Sequence, residues 1–158
     1  MDVIRIDEVN RHKIHSNISI YTKIIYENFI ELTQFSNVKH TPQDIYALLE
    51  SENMVGYVII YAKKIIGYLF GEYTSLNDGR NVYYLSYIYI APKYRKAQLG
   101  TKLLIKLINM CNHRGTKFII LTCDSQDKKV MNFYKKFGFI NDPVLKRSDR
   151  YMVMCLYL

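Results

Sequence analysis

Apolar and polar residues alternate along positions 2–9, the two-residue period of a half-buried strand. From residue 17 to 33 the period lengthens, and Ile20, Ile24, Ile25, Tyr26, Phe29 and Leu32 fall mostly on one helical face. Thr41-Pro42-Gln43-Asp44 then reads as a helix start. Threonine caps, proline fits the first helical position, an acidic residue suits the positive end, and Ile45, Leu48 and Leu49 follow at helical spacing.

The period returns to two at Val55. Residues 55–62, 65–73 and 82–90 predict three strands, the first pair joined at Lys63-Lys64 and the second by a polar loop holding Asp78-Gly79. A helix starts at Gly100 with the stripe Leu103, Leu104, Leu107, Ile108 and Cys111 and ends near Gly115. A strand over 117–123, a helix over about 126–137 and closing strands at 139–140 and 150–157 complete the order β-α-α-β-β-β-α-β-α-β-β. Strand, helix and strand in succession imply a crossover and a parallel pair, so the expected fold is α/β with a mixed sheet of about seven strands and about four helices. At 158 residues the length suits one domain spanning 1–158.

Composition narrows the functions. No apolar run reaches the length of a membrane span, and the start Met-Asp-Val-Ile-Arg-Ile-Asp-Glu lacks the basic, then apolar layout of a signal peptide. A cytoplasmic protein is expected, with a nuclear location open by size and no membrane partner. Cys111, Cys123 and Cys155 sit within apolar patterns and read as buried thiols rather than disulfides. The net charge is +8, yet its lysines are spread along the chain instead of forming an arm, which argues against nucleic acid and fits a solvated surface near an anionic cofactor. His12 and His15 have no third ligand in pattern, so no metal is expected.

The chemistry concentrates where Tyr87–Ile90 runs into Ala91-Pro-Lys-Tyr-Arg-Lys-Ala-Gln-Leu-Gly-Thr-Lys102. A strand turns there into a helix through a short basic segment. Helix-start amides, the helix dipole and the charges of Arg95, Lys96 and Lys102 together make an anion site. With the single glycine Gly100, the spacing fits neither the phosphate loop of nucleotide hydrolases nor a dinucleotide turn.

This turn resembles the Arg/Gln-x-x-Gly-x-Gly/Ala pyrophosphate turn of the GNAT superfamily of N-acetyltransferases, with Arg95, Gln98 and Gly100 on its marked positions. A second segment, a strand and a helix ending in Phe133-Tyr134-Lys-Lys-Phe-Gly138-Phe139, is similar to the other family hallmark. The departures are Gln98 and Lys96 where glycines are frequent, Ser86 where a glutamate is frequent, and Asp127 where an asparagine is frequent.

The resemblance implies acetyl-CoA as donor. Exposed backbone at Ile88, Tyr89 and Ile90 would hold the pantetheine arm, and backbone from Arg95 through Lys96, Ala97, Gln98, Leu99, Gly100, Thr101 and Lys102 the pyrophosphate, with Asp127, Phe133 and Lys136 as further contacts. Tyr134 fits a general acid, since a phenol remains protonated at neutral pH. The general base stays open among Glu72, Asp124 and a relay through Ser86. The acceptor is a small-molecule or protein amine, flanked by residues 33–40 and by Asn141 to Asp149, where Lys146 and Arg147 suit an anionic group. A second copy of the chain is a further candidate partner, and a catalytically idle coenzyme A binder is the alternative to an enzyme.

Overall fold

The computed structural model describes residues 2–33, 40–146 and 148–158, without the side chains of 31–33. Residues 34–39, Arg147 and the side chain of Leu32, all named above, lie outside the described residues. The elements are β1 (Arg5–Asn10), α1 (Arg11–Ile14), a 3-10 turn (His15–Asn17), α2 (Ile18–Thr33), α3 (Pro42–Glu50), β2 (Met54–Tyr61), β3 (Lys64–Ser75), β4 (Asn81–Ile90), a second 3-10 turn (Pro92–Ala97), α4 (Leu99–His113), β5 (Phe118–Asp124), α5 (Lys128–Lys136), β6 (Ile140–Asn141) and β7 (Tyr151–Tyr157). The strands form one mixed seven-stranded sheet in the order β1-β2-β3-β4-β5-β7-β6. The expected α/β class and element order hold, and β4 and β5 are parallel.

Three local expectations are corrected. A short helix, α1, precedes α2, because the Asn10 side chain accepts from the Lys13 amide and starts a turn that apolar periodicity alone does not reveal. Among the described side chains of α2 the buried positions are Ile18, Thr22 and Ile25, whereas Ile20 is 57% exposed. The β2–β3 hairpin turns one residue earlier than expected, on Ala62 and Lys63, whose φ values of 50° and 62° are the pair of positive angles that a type I′ turn requires. The start of α3 is as expected: Asp44 N donates to Thr41 Oγ1 at 3.1 Å and Thr41 N to Asp44 Oδ2 at 2.9 Å.

The chain folds as two compact units. One comprises the residues up to Glu72 together with Tyr87–Leu103, the other Tyr73–Ser86 with Leu104–Leu158. The first packs Val9, Ile14, Ile25, Ile45, Leu49, Met54, Val58, Tyr68, Phe70 and Tyr87 into one apolar core. The second rests on the seven-pair antiparallel β5–β7 ladder from Phe118–Tyr157 to Asp124–Tyr151. Val82, Ile120, Val153 and Cys155 make up a core cluster there.

That second unit also carries a buried ion pair. Arg80 Nη1 and Nη2 donate to the two carboxylate oxygens of Asp142 at 2.7 and 3.0 Å, and the Asp142 side chain is fully buried. Its Oδ2 also accepts from the Val144 and Leu145 amides, so one carboxylate ties the turn before β4 to the loop after β6. The Arg80 hydrogen bonds hold the Asp142 carboxyl below the usual carboxylate range. Arg80→Met strands that charge, and we expect a loss of about 3 kcal/mol in urea unfolding at pH 7. A depressed carboxyl contributes stability only above its folded pKa. The gap between wild type and variant should therefore shrink as pH falls below about 4.

Candidate active site

In the first unit β4 ends against β3. Ala91 N donates to Ile66 O at 2.8 Å, and Ile66 lies where the β2–β3 register slips between the pairs Ile59–Gly67 and Ile60–Ile65. Gly67 then lets the strands approach: a Cβ there would lie 2.9 Å from Tyr89 O and 2.9 Å from Ile90 Cδ1. Pro92–Ala97 follows as a 3-10 turn, Arg95 Nε donates to Ile90 O at 2.9 Å, and the guanidinium lies 5.7 Å from the Tyr89 ring centroid. A cation is thus fixed at the end of the strand. The Tyr89 ring in turn stacks on Tyr68 at 5.6 Å.

Gln98 explains how the turn closes without its usual glycine. It takes the left-handed conformation, φ 57° and ψ 29°, with its side chain exposed. The demand at this position is on the backbone, because left-handed geometry is the reason glycine is favoured at such positions. The Gln98 carbonyl accepts from Lys102 N at 3.1 Å and opens α4, so the amides of Leu99, Gly100 and Thr101 have no acceptor within the helix. Leu99 and Leu103 are buried and seat this first turn, while Lys96, Ala97 and Lys102 are exposed around it. Leu99 therefore offers backbone only.

In the second unit the β4–β5 ladder holds three pairs, Val82–Phe118, Tyr83–Ile119 and Tyr84–Ile120, and stops there. Leu85 and Ser86 have no β5 partner. Tyr134, on α5, is 5% exposed, with Phe133 and Phe139 at 5.3 and 5.4 Å between ring centroids. Burial, then the neighbouring Cys123, pushes its phenol above its ordinary value, so it stays protonated at neutral pH. The Tyr134 carbonyl accepts from the Phe137 and Phe139 amides, and Gly138 at φ 97° lets the chain leave the helix. Phe133 is half-buried and Lys136 exposed.

The remaining site residues take distinct places. Asp127 Oδ1 accepts from Val130 N at 3.2 Å and caps α5, a role in which aspartate and asparagine are equivalent. Asp124 is held by Arg150, with Nε at 3.1 Å and Nη2 at 2.9 Å on one oxygen, and these hydrogen bonds lower its pKa. A carboxylate so engaged anchors the end of β5 and is poorly suited to take protons at neutral pH. Glu72 stands half-buried on β3 opposite Met54, and Ser86 is half-buried on β4. Burial raises the Cys123 thiol to about 11, so it is a protonated thiol rather than a nucleophile.

One contact had no signal in the sequence. His40 Nδ1 and Tyr87 Oη are hydrogen-bonded across 47 positions of chain, and the imidazole stacks on Phe29 at 4.8 Å between centroids. Among the described residues no cluster of three or more histidine, cysteine or acidic side chains is placed to hold a metal ion. No described helix is long and apolar enough to cross a membrane.

A family model described as acetyltransferase (GNAT) family matches residues 22–139, a stretch that takes in both the Gly100 turn and the Phe133–Phe139 segment. The chain belongs to the GNAT acetyltransferases. It is 36% identical over 75 residues to the mouse thialysine N-epsilon-acetyltransferase, a match covering 47% of this chain and 44% of that protein. It is 27% identical over 127 residues to the alpha-tubulin N-acetyltransferase of Plasmodium falciparum, covering 80% and 64%. In both, the matched part is less than two thirds of the relative. A solved N-acetyltransferase of Thermoplasma acidophilum in complex with coenzyme A shares the fold, with a TM-score of 0.67 at 17% identity over 99% of each chain.

For this GNAT chain the αL residue offers a direct test. Gln98→Gly removes the left-handed penalty and is expected to raise stability by up to about 1 kcal/mol, whereas Gln98→Val, β-branched at positive φ, should lower it by about 1–2 kcal/mol. Thermal melts of the two variants check this. A Gly variant less stable than wild type would mean that the glutamine side chain itself supports the turn.

Proposed function

We propose that this chain transfers an acetyl group from acetyl-CoA to a primary amine by direct attack within a ternary complex. The observation that carries the reading is the start of α4, where three amides without helical acceptors sit on a buried leucine seat, with the exposed cations Arg95, Lys96 and Lys102 adjoining it in the chain. That donor set fits a pyrophosphate. Backbone from Arg95 to Lys102 is its holder in this reading, and backbone at Ile88, Tyr89 and Ile90 holds the pantetheine arm. Phe133 and Lys136 are assigned to α5 contacts, and Asp127 contributes by fixing the start of that helix.

Bound acetyl-CoA supplies the activated thioester. Tyr134 keeps its proton at neutral pH and gives it to the departing sulfur, while a strand amide steadies the developing oxyanion. The names of the relatives include both a small amine and a protein as acceptors, and both classes stay within the proposal.

Two measurements test it. Acetyl-CoA at a hundred times its dissociation constant is expected to stabilise the protein by about 2.7 kcal/mol in a thermal shift, with ATP giving less. Release of free thiol is then followed with a lysine-like small amine and with a peptide bearing a free α-amino group. Tyr134→Phe should lower turnover roughly 100-fold while leaving the acetyl-CoA shift unchanged. Stabilisation without any transfer would leave a coenzyme A binder in place of an enzyme, and undiminished turnover in Tyr134→Phe would remove the phenol from the reaction.

A further inference from the structure

The acyl-transfer reading does not fix where the proton of the attacking amine goes, and Glu72 on β3 is one competing acceptor. Asp124 is occupied by Arg150, and a serine hydroxyl such as that of Ser86 does not take protons by itself at neutral pH. The first unit holds another titratable pair beside the donor strand. Tyr87 immediately precedes Ile88, its ring is 7% exposed, and its hydroxyl is hydrogen-bonded to Nδ1 of the half-buried His40. Phe29 packs edge-on against Tyr87 at 5.8 Å and stacks on the imidazole, so both rings are clamped from α2.

We propose that Tyr87 and His40 form the proton-accepting relay for the amine, with the Tyr87 hydroxyl receiving the proton and His40 Nδ1 storing it. The inference rests on the acyl-transfer reading above. In the tautomer carrying its proton on Nε2, His40 accepts from the Tyr87 hydroxyl. The amine nitrogen bonds to the acetyl carbon and the carbon–sulfur bond breaks. The proton on that nitrogen passes to Tyr87 Oη as the phenol's own proton moves to Nδ1. The imidazolium then releases its proton to water, and Tyr134 protonates the sulfur and recovers a proton from water, so charge and atoms balance.

Burial makes a relay the suitable device. The Tyr87 phenol is pushed above its ordinary value chiefly by burial, then by Asp44 and Tyr68, so it does not serve as a standing phenolate. It hands a proton on instead. Among the described residues, Asp44 from α3, Tyr68 from β3 and the uncharged Phe29 from α2 bear on the pair. Asp44 is negative at neutral pH and favours the imidazolium that forms.

The test uses the full chain with acetyl-CoA and whichever amine of the transfer assay wild type turns over. Expected for wild type is an acid limb in kcat/KM in the range where imidazoles titrate, about pH 6 to 7. In His40→Gln and Tyr87→Phe, which keep polarity or ring, that limb should vanish and kcat/KM at pH 7 should fall roughly 100-fold, with the acetyl-CoA thermal shift retained. His40 and Tyr87 variants that keep both rate and limb overturn the relay while leaving the transferase reading intact. So does loss of the limb in Glu72→Gln alone, which would assign the base to β3. A wild type that is not stabilised by acetyl-CoA, or transfers to no amine, overturns the transferase reading itself and the relay with it.

Discussion

In the proposed reading the start of α4 holds an anion, which requires that it not move, and the fixing is done by Leu99. Its side chain is 1% exposed while its neighbour Gln98 is exposed, so the chain passes from surface to core within one residue. That abrupt step leaves no room for a gradual entry into α4. It demands the left-handed bend at Gln98, and the bend points the Gln98 carbonyl into the helix to receive Lys102 N. The amides of the first turn are aimed as a consequence, and Arg95, bonded to the carbonyl that ends β4, adds its charge from a fixed place. A hydrophobic anchor thus determines the direction of a polar site.

The ionic groups divide by the same logic. Asp142 and Asp124 are each committed to an arginine, Asp44 accepts from the Thr41 amide in the capping box of α3, and Asp127 caps α5. These carboxylates hold elements in place. What stays protonated in the interior is phenol: burial raises Tyr68, Tyr87 and Tyr134 alike. A tyrosine-rich chain therefore stocks its core with groups that stay neutral and avoid the cost of an unpaired buried charge.

The order of the elements was readable because each strand and helix carries its own period, and the Gly100 and Phe133–Phe139 motifs fall on the junctions those periods mark. The errors have physical sources. Ile20 shares a helical face with Ile24 on paper, but α2 is buried along Ile18, Thr22 and Ile25, and only packing decides which edge of an apolar stripe turns inward. The turn at Ala62-Lys63 is invisible locally, since neither residue favours positive φ and the strands impose it. Gln98 stood out as a departure from glycine, and its backbone angle carries the meaning. The Asp124–Arg150 and His40–Tyr87 contacts join residues far apart in the chain, and no local pattern announces which distant partner a titratable group will meet.

The order β5-β7-β6 places β7 between two strands that are made before it. During synthesis β5 emerges with one long edge lacking its antiparallel neighbour, and the whole loop from α5 through Arg150 must leave the ribosome before that edge is closed. For those seconds the nascent chain presents Ile119, Leu121 and Cys123 on an open ladder. Slowed translation over this stretch would lengthen the interval in which chaperones, or another nascent chain, compete for the place that Tyr151–Tyr157 finally takes.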